Sequence, residues 1–181
     1  ISQVLIHTGQ HYDYQMSQSF FDIFEIEEPH YFLDIGHHDP IIQIGKIIEK
    51  MYKILIKEKP DLVIVYGDVN STVGATVIAK RLDIDVVHVE AGLRSFDMGM
   101  PEEINRLIVD KLSDLLLIHS ESAKDNLTNE GVHPNKVKFV GNIMIDSLVM
   151  MKSKINKSIL DKYNLKEKEY CLLTMHRPSN V

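Results

Sequence analysis

The sequence predicts an α/β fold built on a doubly wound parallel sheet. Short apolar runs of strand length alternate along the chain with amphipathic runs of helix length. One apolar run, Leu62–Tyr66, is continuous and rich in β-branched residues, which is typical of a strand covered on both faces. Repeated strand–helix units of this kind form parallel sheets with right-handed crossovers.

The first half of the chain predicts four strand–helix units. Their strands are the apolar runs at residues 4–7, 31–35, 62–66 and 86–89. Their helices cover residues 12–24, the stripe formed by Ile41, Ile44, Ile48, Met51 and Leu55, residues 71–82, and a run that opens at Pro101. Spacings of three and four residues are typical of one helical face. A proline at the first helical position loses no hydrogen bond.

The second half continues the alternation and then changes character. It predicts a strand at Leu115–Ile118, a helix over 120–130, a strand over 137–140 and a helix over 143–151. We therefore expect an N-terminal domain over residues 1–152 that lacks its first strand and loop. Residues 153–168, rich in lysine, are predicted to be a connector. A buried strand at 170–174 then opens a second domain over 169–181, so the chain is expected to be a segment of a longer polypeptide.

Composition and charge exclude several classes of function. The chain has 181 residues, of which 44% are hydrophobic and 25% charged, so it can bury a core. No apolar run reaches the roughly 18 residues that a membrane span needs. The net charge of −6 disfavours nucleic acid as a partner, because phosphate binding needs a dense basic surface. The single cysteine, Cys171, indicates a reducing compartment, and we expect a cytoplasmic location.

Carboxylates follow the predicted strands at the edge where ligands bind in open parallel sheets. Asp68 comes after the strand at 62–66, and Glu90 ends the strand at 86–89. Glu102 and Glu103 lie in the first turn of the helix that opens at Pro101. Several carboxylates in one cleft push one pKa upward, which supplies an acid and a base in the same pocket.

Each of these residues also has a purely structural interpretation. Asp68, Asn70 or Ser71 can cap the following helix, and Glu90 can pair with Arg94. Glu102 and Glu103 can complement the helix dipole. A metal site at His88 and Glu90 is a further alternative, although the spacing matches neither a metalloprotease nor a zinc-finger pattern.

Six short motifs together resemble the non-hydrolysing UDP-N-acetylglucosamine 2-epimerase family along all 181 residues. They are TGQH at 8–11, GDVNST at 67–72, HVEAGLRS at 88–95, PEEINR at 101–106, VGN at 140–142 and TMHR at 174–177. The resemblance implies a Rossmann-like half of a two-domain fold of the glycosyltransferase-B type. It also implies a UDP-sugar substrate, no cofactor or metal, and a homodimer.

The resemblance assigns roles to nine residues. The catalytic residues it implies are Asp68, Glu90, Glu102 and His176. The substrate-binding residues it implies are Arg94, Asn142 and Arg177. Gln10 and His11 match a region associated with a second, regulatory nucleotide-sugar site. Which carboxylate is the base and which the acid stays open, since coupled carboxylates titrate as a group.

The implied reaction is reversible inversion at C2 of the sugar, through departure and return of UDP and a 2-acetamidoglucal intermediate. Four alternatives remain: a hydrolysing relative that releases UDP and N-acetylmannosamine, a 2-epimerase of a UDP-diacetamido-uronic acid, a glycosyltransferase of the same fold, and a folded half-molecule without activity. For the 181-residue chain by itself we expect a folded half-molecule without activity.

Overall fold

The computed structural model describes residues 1–9, 18–156 and 158–175, and the chain divides into two units, 1–142 and 143–181. The strands of the first unit are β1 (Ile6–His7), β2 (Tyr31–Phe32), β3 (Leu62–Tyr66), β4 (Asp85–Val89), β5 (Leu115–Ile118) and β6 (Val137–Phe139). Its α-helices are α1 (Gln18–Phe24), α2 (Pro40–Glu58), α3 (Asn70–Arg81), α4 (Pro101–Leu112) and α5 (Glu121–Asn129). The second unit contains α6 (Ile143–Met151) and α7 (Ser158–Lys162).

Four parallel strands form the main sheet of the first unit. They are hydrogen-bonded in the order β3, β4, β5, β6, and β1 pairs with β2 in a separate parallel ribbon. A helix follows each of β3, β4 and β5 before the next strand begins. The predicted α/β fold with a parallel sheet is therefore confirmed, and so are the strands at 62–66 and 115–118.

The buried residues of this sheet, with the exception of Val87, lie on one of its faces. The register sets Val65 beside His88 and His88 beside Leu116, so these side chains share a face. Val63, Val65 and Val86 contribute to the cluster that includes buried residues of α2 and α3. Leu116 and Ile118 pack with Ala123 and Leu127 of α5.

The expectation that β3 is covered on both faces is wrong for the described residues. Leu62, Ile64 and Tyr66 are 44%, 50% and 59% exposed, while Val65 is buried. The helices that pack on β3 contact the face of Val63 and Val65, so the opposite face of this apolar strand remains open to solvent.

Helix α2 begins where the sequence indicates, but its buried face differs from the predicted one. Asp39 caps it by accepting the N–H of Ile41 at 3.0 Å, with Pro40 in its first turn. Ile41, expected on the buried stripe, is 81% exposed. The buried face instead begins at Gln43, whose side chain donates to the carbonyl of Gly36 and accepts from Asn70. Those two hydrogen bonds let a polar residue occupy the buried face.

The second unit differs from expectation near its end. Residues 170–175 form no regular secondary structure, so the strand predicted at 170–174 is absent. Leu172 and Leu173 are 85% and 75% exposed, and no described strand pairs with them. An extended segment without a partner strand leaves its backbone groups to water, which explains the difference. No helix in the described part of the chain is long and apolar enough to cross a membrane.

Candidate functional site

The carboxyl edge of the sheet gathers the loops that carry the candidate carboxylates. Asp68 follows β3 by two residues, Glu90 follows β4 directly and His119 follows β5 directly. Helix α4 returns to this edge, since Asn105 Nδ2 donates to the carbonyl of Asp68 at 2.8 Å. The structure therefore places the loops of Asp68 and Glu90 at one edge, as the sequence predicts, and adds the loop of His119.

Asp68 is held by an arginine and does not cap α3. Val69 occupies the N-cap position of that helix, which has no side-chain cap. The Nε and Nη2 atoms of Arg106 lie 3.0 and 2.6 Å from the Oδ2 atom of Asp68. Both donors use the same oxygen, and the Asp68 side chain is 30% exposed. The carboxylate is thus fixed and charge-paired, with its Oδ1 atom outside the ion pair.

Glu103 is a buried carboxylate that binds the same arginine, Arg106. Its carboxylate is 2% exposed and accepts the backbone N–H groups of Ser95 and Phe96, both at 2.9 Å. Arg106 Nη1 adds a third hydrogen bond at 3.0 Å. Burial alone would raise the pKa of Glu103, but these donors outweigh it and lower the pKa from 4.5 to about 2. Glu103 therefore organises the loop after β4 and does not simply complement the helix dipole.

This arrangement predicts acid sensitivity. A carboxylate with a lowered pKa stabilises the fold fully above its unfolded value of 4.5, and the stabilisation is lost as the pH falls toward 2. We expect the free energy of unfolding of the native chain to exceed that of Glu103→Gln by on the order of 3 kcal/mol at pH 7. Urea unfolding at pH 7 and pH 3 measures this, and the difference should shrink at pH 3.

Glu49→Gln is the matched control for this prediction. Glu49 lies on α2 with a side chain 68% exposed, and it pairs with Lys53 at 3.0 Å. Its removal should change the urea midpoint little at either pH, because exposed ion pairs contribute at most about 1 kcal/mol. A Glu103→Gln variant that behaves like Glu49→Gln would contradict the assigned role.

Glu90 is held in an uncommon backbone conformation beside Asp68. Its φ angle is 73°, in the left-handed region that side chains other than glycine rarely adopt. The N–H groups of Glu90 and Ala91 both donate to the carbonyl of Leu117 at 3.1 Å. The Oε2 atom lies 3.7 Å from where a Cβ on Gly67 would stand, so the carboxylate reaches the loop of Asp68. Strain of this kind collects at functional sites.

Arg94 pairs with Asp110 and Glu130, and not with Glu90 as the structural interpretation expected. Its side chain is 1% exposed. The guanidinium binds the carboxylate of Glu130 through Nε and Nη2, both at 2.7 Å, and Asp110 through Nη1 at 2.7 Å. Burial alone would lower the pKa of Arg94, but the hydrogen bonds to Glu130 and Asp110 raise it. Arg94 thus forms a buried ion pair with Asp110 and Glu130 in this chain, and its expected substrate-binding role stays a prediction.

The metal alternative at His88 and Glu90 also fails on geometry. The Nδ1 atom of His88 lies 2.7 Å from Asp110 Oδ1, and its Nε2 atom lies 2.8 Å from the carbonyl oxygen of Gly67. Both ring nitrogens are thus occupied by protein oxygens. Across the described ranges, no group of three or more metal-binding side chains occurs.

The structure brings some predicted residues together and adds others. It joins the loops of Asp68 and Glu90, while Glu102 lies exposed in the first turn of α4 and Asn142 lies half-buried in the loop that follows β6. Four further candidates fall outside the described residues: Gln10, His11, His176 and Arg177.

Sequence reasoning missed Arg106 and His119. The Nε2 atom of His119 lies 3.9 Å from Glu90 Oε1. Its place directly after a strand was the signal that could have found it. Arg106 is on helix α4 and carried no such signal.

Comparison with known proteins identifies the family. A sequence model described as UDP-N-acetylglucosamine 2-epimerase matches residues 1–181. A "UDP-N-acetylglucosamine 2-epimerase homolog" of Methanococcus maripaludis is 48% identical, over 99% of this chain and 51% of the relative. The UDP-2,3-diacetamido-2,3-dideoxy-D-glucuronate 2-epimerase of Pseudomonas aeruginosa is 40% identical, over 100% of this chain and 51% of the relative.

A solved structure gives the same result. The crystal structure of Methanocaldococcus jannaschii UDP-GlcNAc 2-epimerase in complex with UDP-GlcNAc and UDP superposes with a TM-score of 0.83 at 43% identity, covering 88% of this chain and 44% of that chain. The chain spans about half the length of the curated relatives it matches. With its parallel sheet, the motifs along its loops and these matches over its whole length, the chain belongs to the UDP-N-acetylglucosamine 2-epimerase family.

Proposed function

We propose that the whole protein containing this chain inverts C2 of UDP-N-acetylglucosamine reversibly, giving UDP-N-acetylmannosamine without net hydrolysis. The observation that carries the proposal is the pair of carboxylates at the carboxyl edge of the sheet. Asp68 is fixed by Arg106, and Glu90 reaches toward the same loop from a strained backbone position. Family membership supports the substrate class, since the matching relatives are epimerases of UDP-sugars by name.

The chemistry requires such groups because C2 of the sugar is not next to a carbonyl. Departure of UDP with the electron pair of the C1–O bond builds positive charge at C1 and acidifies the hydrogen on C2. A carboxylate takes that proton, and a C1–C2 double bond forms, which gives 2-acetamidoglucal and UDP. Return of a proton to the opposite face of C2, with UDP rejoining C1, completes the inversion.

The described residues suit these roles in different ways. Arg106 holds the Asp68 carboxylate in place through Oδ2 and leaves Oδ1 outside the ion pair, so Asp68 is suited to stabilise positive charge on the ring or to accept the proton. The Glu90 side chain is 37% exposed and reaches the loop of Asp68, so we propose that its carboxylate exchanges the proton on C2. Glu102 is exposed on the first turn of α4 and is the third candidate. We propose that His176 assists the departing phosphate.

A second UDP-sugar is also a candidate substrate for the same 2-epimerase reaction. The Pseudomonas aeruginosa relative acts, by its name, on a UDP-sugar that carries two acetamido groups and a uronic carboxylate. Its identity to this chain, 40%, is close to the 42% of a UDP-N-acetylglucosamine 2-epimerase from Methanocaldococcus jannaschii. Comparison of the two UDP-sugars as substrates decides between them.

Incubation of the whole protein with UDP-N-acetylglucosamine tests the proposal. We expect the gluco and manno epimers to reach equilibrium from either side, with free sugar appearing only far more slowly. Separation of the nucleotide sugars over time measures the first result, and detection of free N-acetylmannosamine measures the second. Prompt release of free sugar would favour the hydrolysing reaction and contradict our proposal.

A further inference from the structure

Asp110 lies at the centre of a buried cluster that the proposed chemistry does not use. The residue is 3% exposed on helix α4. Its Oδ1 atom lies 2.7 Å from His88 Nδ1. Its Oδ2 atom accepts the N–H of Gly92 at 3.0 Å and Nη1 of Arg94 at 2.7 Å. One carboxylate thus ties a helix, a strand and a loop together.

His88 links Asp110 to a second loop, the one that follows β3. The ring is fully buried, and its Nε2 atom lies 2.8 Å from the carbonyl oxygen of Gly67. A neutral imidazole has one N–H donor and one lone pair, so one of its nitrogens would face an oxygen without a proton between them. Asp110 accepts Arg94 Nη1 and the N–H of Gly92 as a carboxylate, so both partners of the ring are acceptors and the geometry favours a proton on each ring nitrogen.

The cluster balances its own charges. His88 with two ring protons and Arg94 contribute two positive charges, while Asp110 and Glu130 contribute two negative charges. Arg94 joins the pairs, because it binds Asp110 on one side and Glu130 on the other. Buried charges persist in proteins when they are paired and hydrogen-bonded in this way.

The backbone atoms that the cluster holds flank the two catalytic candidates. Gly67, whose carbonyl accepts from His88, directly precedes Asp68. Gly92, whose N–H donates to Asp110, follows Glu90 by two residues. Gly67, Glu90 and Gly92 all have positive φ angles, of 65°, 73° and 80°. Only at Glu90, which is not a glycine, does this conformation cost energy, and the hydrogen bond from Gly92 to Asp110 helps to fix it.

We propose that Asp110 is a positioning residue, and that through a doubly protonated His88 it sets the loops that present Asp68 and Glu90 to the substrate. This inference rests on the proposed epimerase function for its kinetic consequences, but not for its structural ones. Misplacement of a reacting group by about 1 Å can cost about 100-fold in rate.

The kinetic test uses His88→Asn and Asp110→Asn in the whole protein. Asparagine at position 88 keeps an amide donor near Asp110 and loses the donor to Gly67. We expect kcat to fall by roughly 10-fold or more in each variant, and KM to change by less than about threefold, because the loops are misplaced more than binding is lost. An unchanged kcat in folded His88→Asn would overturn the proposal.

Asp114→Asn is the matched control. Asp114 accepts the N–H of Val86 at 2.9 Å and Lys80 Nζ at 2.8 Å, at the opposite end of the sheet. Its loss should lower the urea midpoint while leaving kcat near the native value. If Asp114→Asn lowers kcat as much as His88→Asn does, general loss of stability explains both, and the positioning role is wrong.

A spectroscopic test is independent of activity and of whether Asp110→Asn folds. The whole protein is labelled with ¹⁵N-histidine, and the signals lost in His88→Asn identify the ring of His88. We expect both of its nitrogens to show directly bonded protons at neutral pH. A nitrogen without a proton would overturn the proposal even if the protein is an epimerase. A doubly protonated ring in a protein without epimerase activity would contradict only the proposed function.

Discussion

Glu90→Gln is expected to abolish interconversion of the two epimers by the whole protein, with a loss of roughly 10²–10⁴-fold in kcat, the usual range for a lost acid–base group. Glutamine has the same shape as glutamate but cannot take or return a proton. The structure predicts little change in folding, because the Glu90 side chain is 37% exposed and His119 Nε2, at 3.9 Å from Glu90 Oε1, is beyond hydrogen-bond distance. Epimer ratios over time measure the activity, and urea unfolding measures the stability.

Glu49→Gln serves as the control for this loss. It removes the same charge from an exposed position in the middle of α2, where the partner is Lys53. We expect it to keep native turnover. Substantial activity in Glu90→Gln would remove Glu90 from the chemistry and leave Asp68 and Glu102 as the only carboxylate candidates among the described residues.

Gly92→Ala should produce a large loss of stability. The φ angle of Gly92 is 80°, and an added Cβ would lie 2.6 Å from the carbonyl oxygen of Ala123 and 3.0 Å from the side chain of Leu127. The backbone oxygen cannot move without shifting α5. The left-handed conformation costs about 1–2 kcal/mol and overpacking typically a further 1–3 kcal/mol, so we expect a total of about 3 kcal/mol or more.

Gly131→Ala separates the two contributions. Gly131 has a nearly equal φ of 76°, but an added Cβ would meet no atom within 4 Å. The control should therefore lose only the conformational part, about 1–2 kcal/mol. Urea unfolding of both variants measures the difference. Equal losses would show that α5 yields to the added methyl group, which would contradict the tight packing at Gly92.

The parallel sheet could be predicted from sequence because its signals are local. Leu115–Ile118 is a short apolar run, Pro101 marks a helix start, and Ser120 caps α5 by accepting from Ala123 N at 3.2 Å. The strand expected at 170–174 failed because a strand also needs a partner, and an apolar run does not supply one. The exposed face of β3 was not predicted for a similar reason: an apolar run predicts a strand but does not show whether one face or both are covered.

The site was predictable only in part. Asp68 and Glu90 were found because the ends of parallel strands meet at one edge. The partners of the charges were not found, because Arg106 and Asp110 lie 38 and 16 residues from the residues they bind, Asp68 and Arg94. A motif shows which residues are charged, but only the fold shows that Arg94 faces inward.

The central claim is that carboxylates at this edge remove and restore the hydrogen on C2 while UDP is detached. The most direct test incubates the whole protein with UDP-N-acetylglucosamine in heavy water and recovers the nucleotide sugar for mass and proton NMR analysis. We expect one deuterium at C2 in both epimers, and none in the Glu90→Gln sample. Epimers that form without deuterium at C2 would contradict the account.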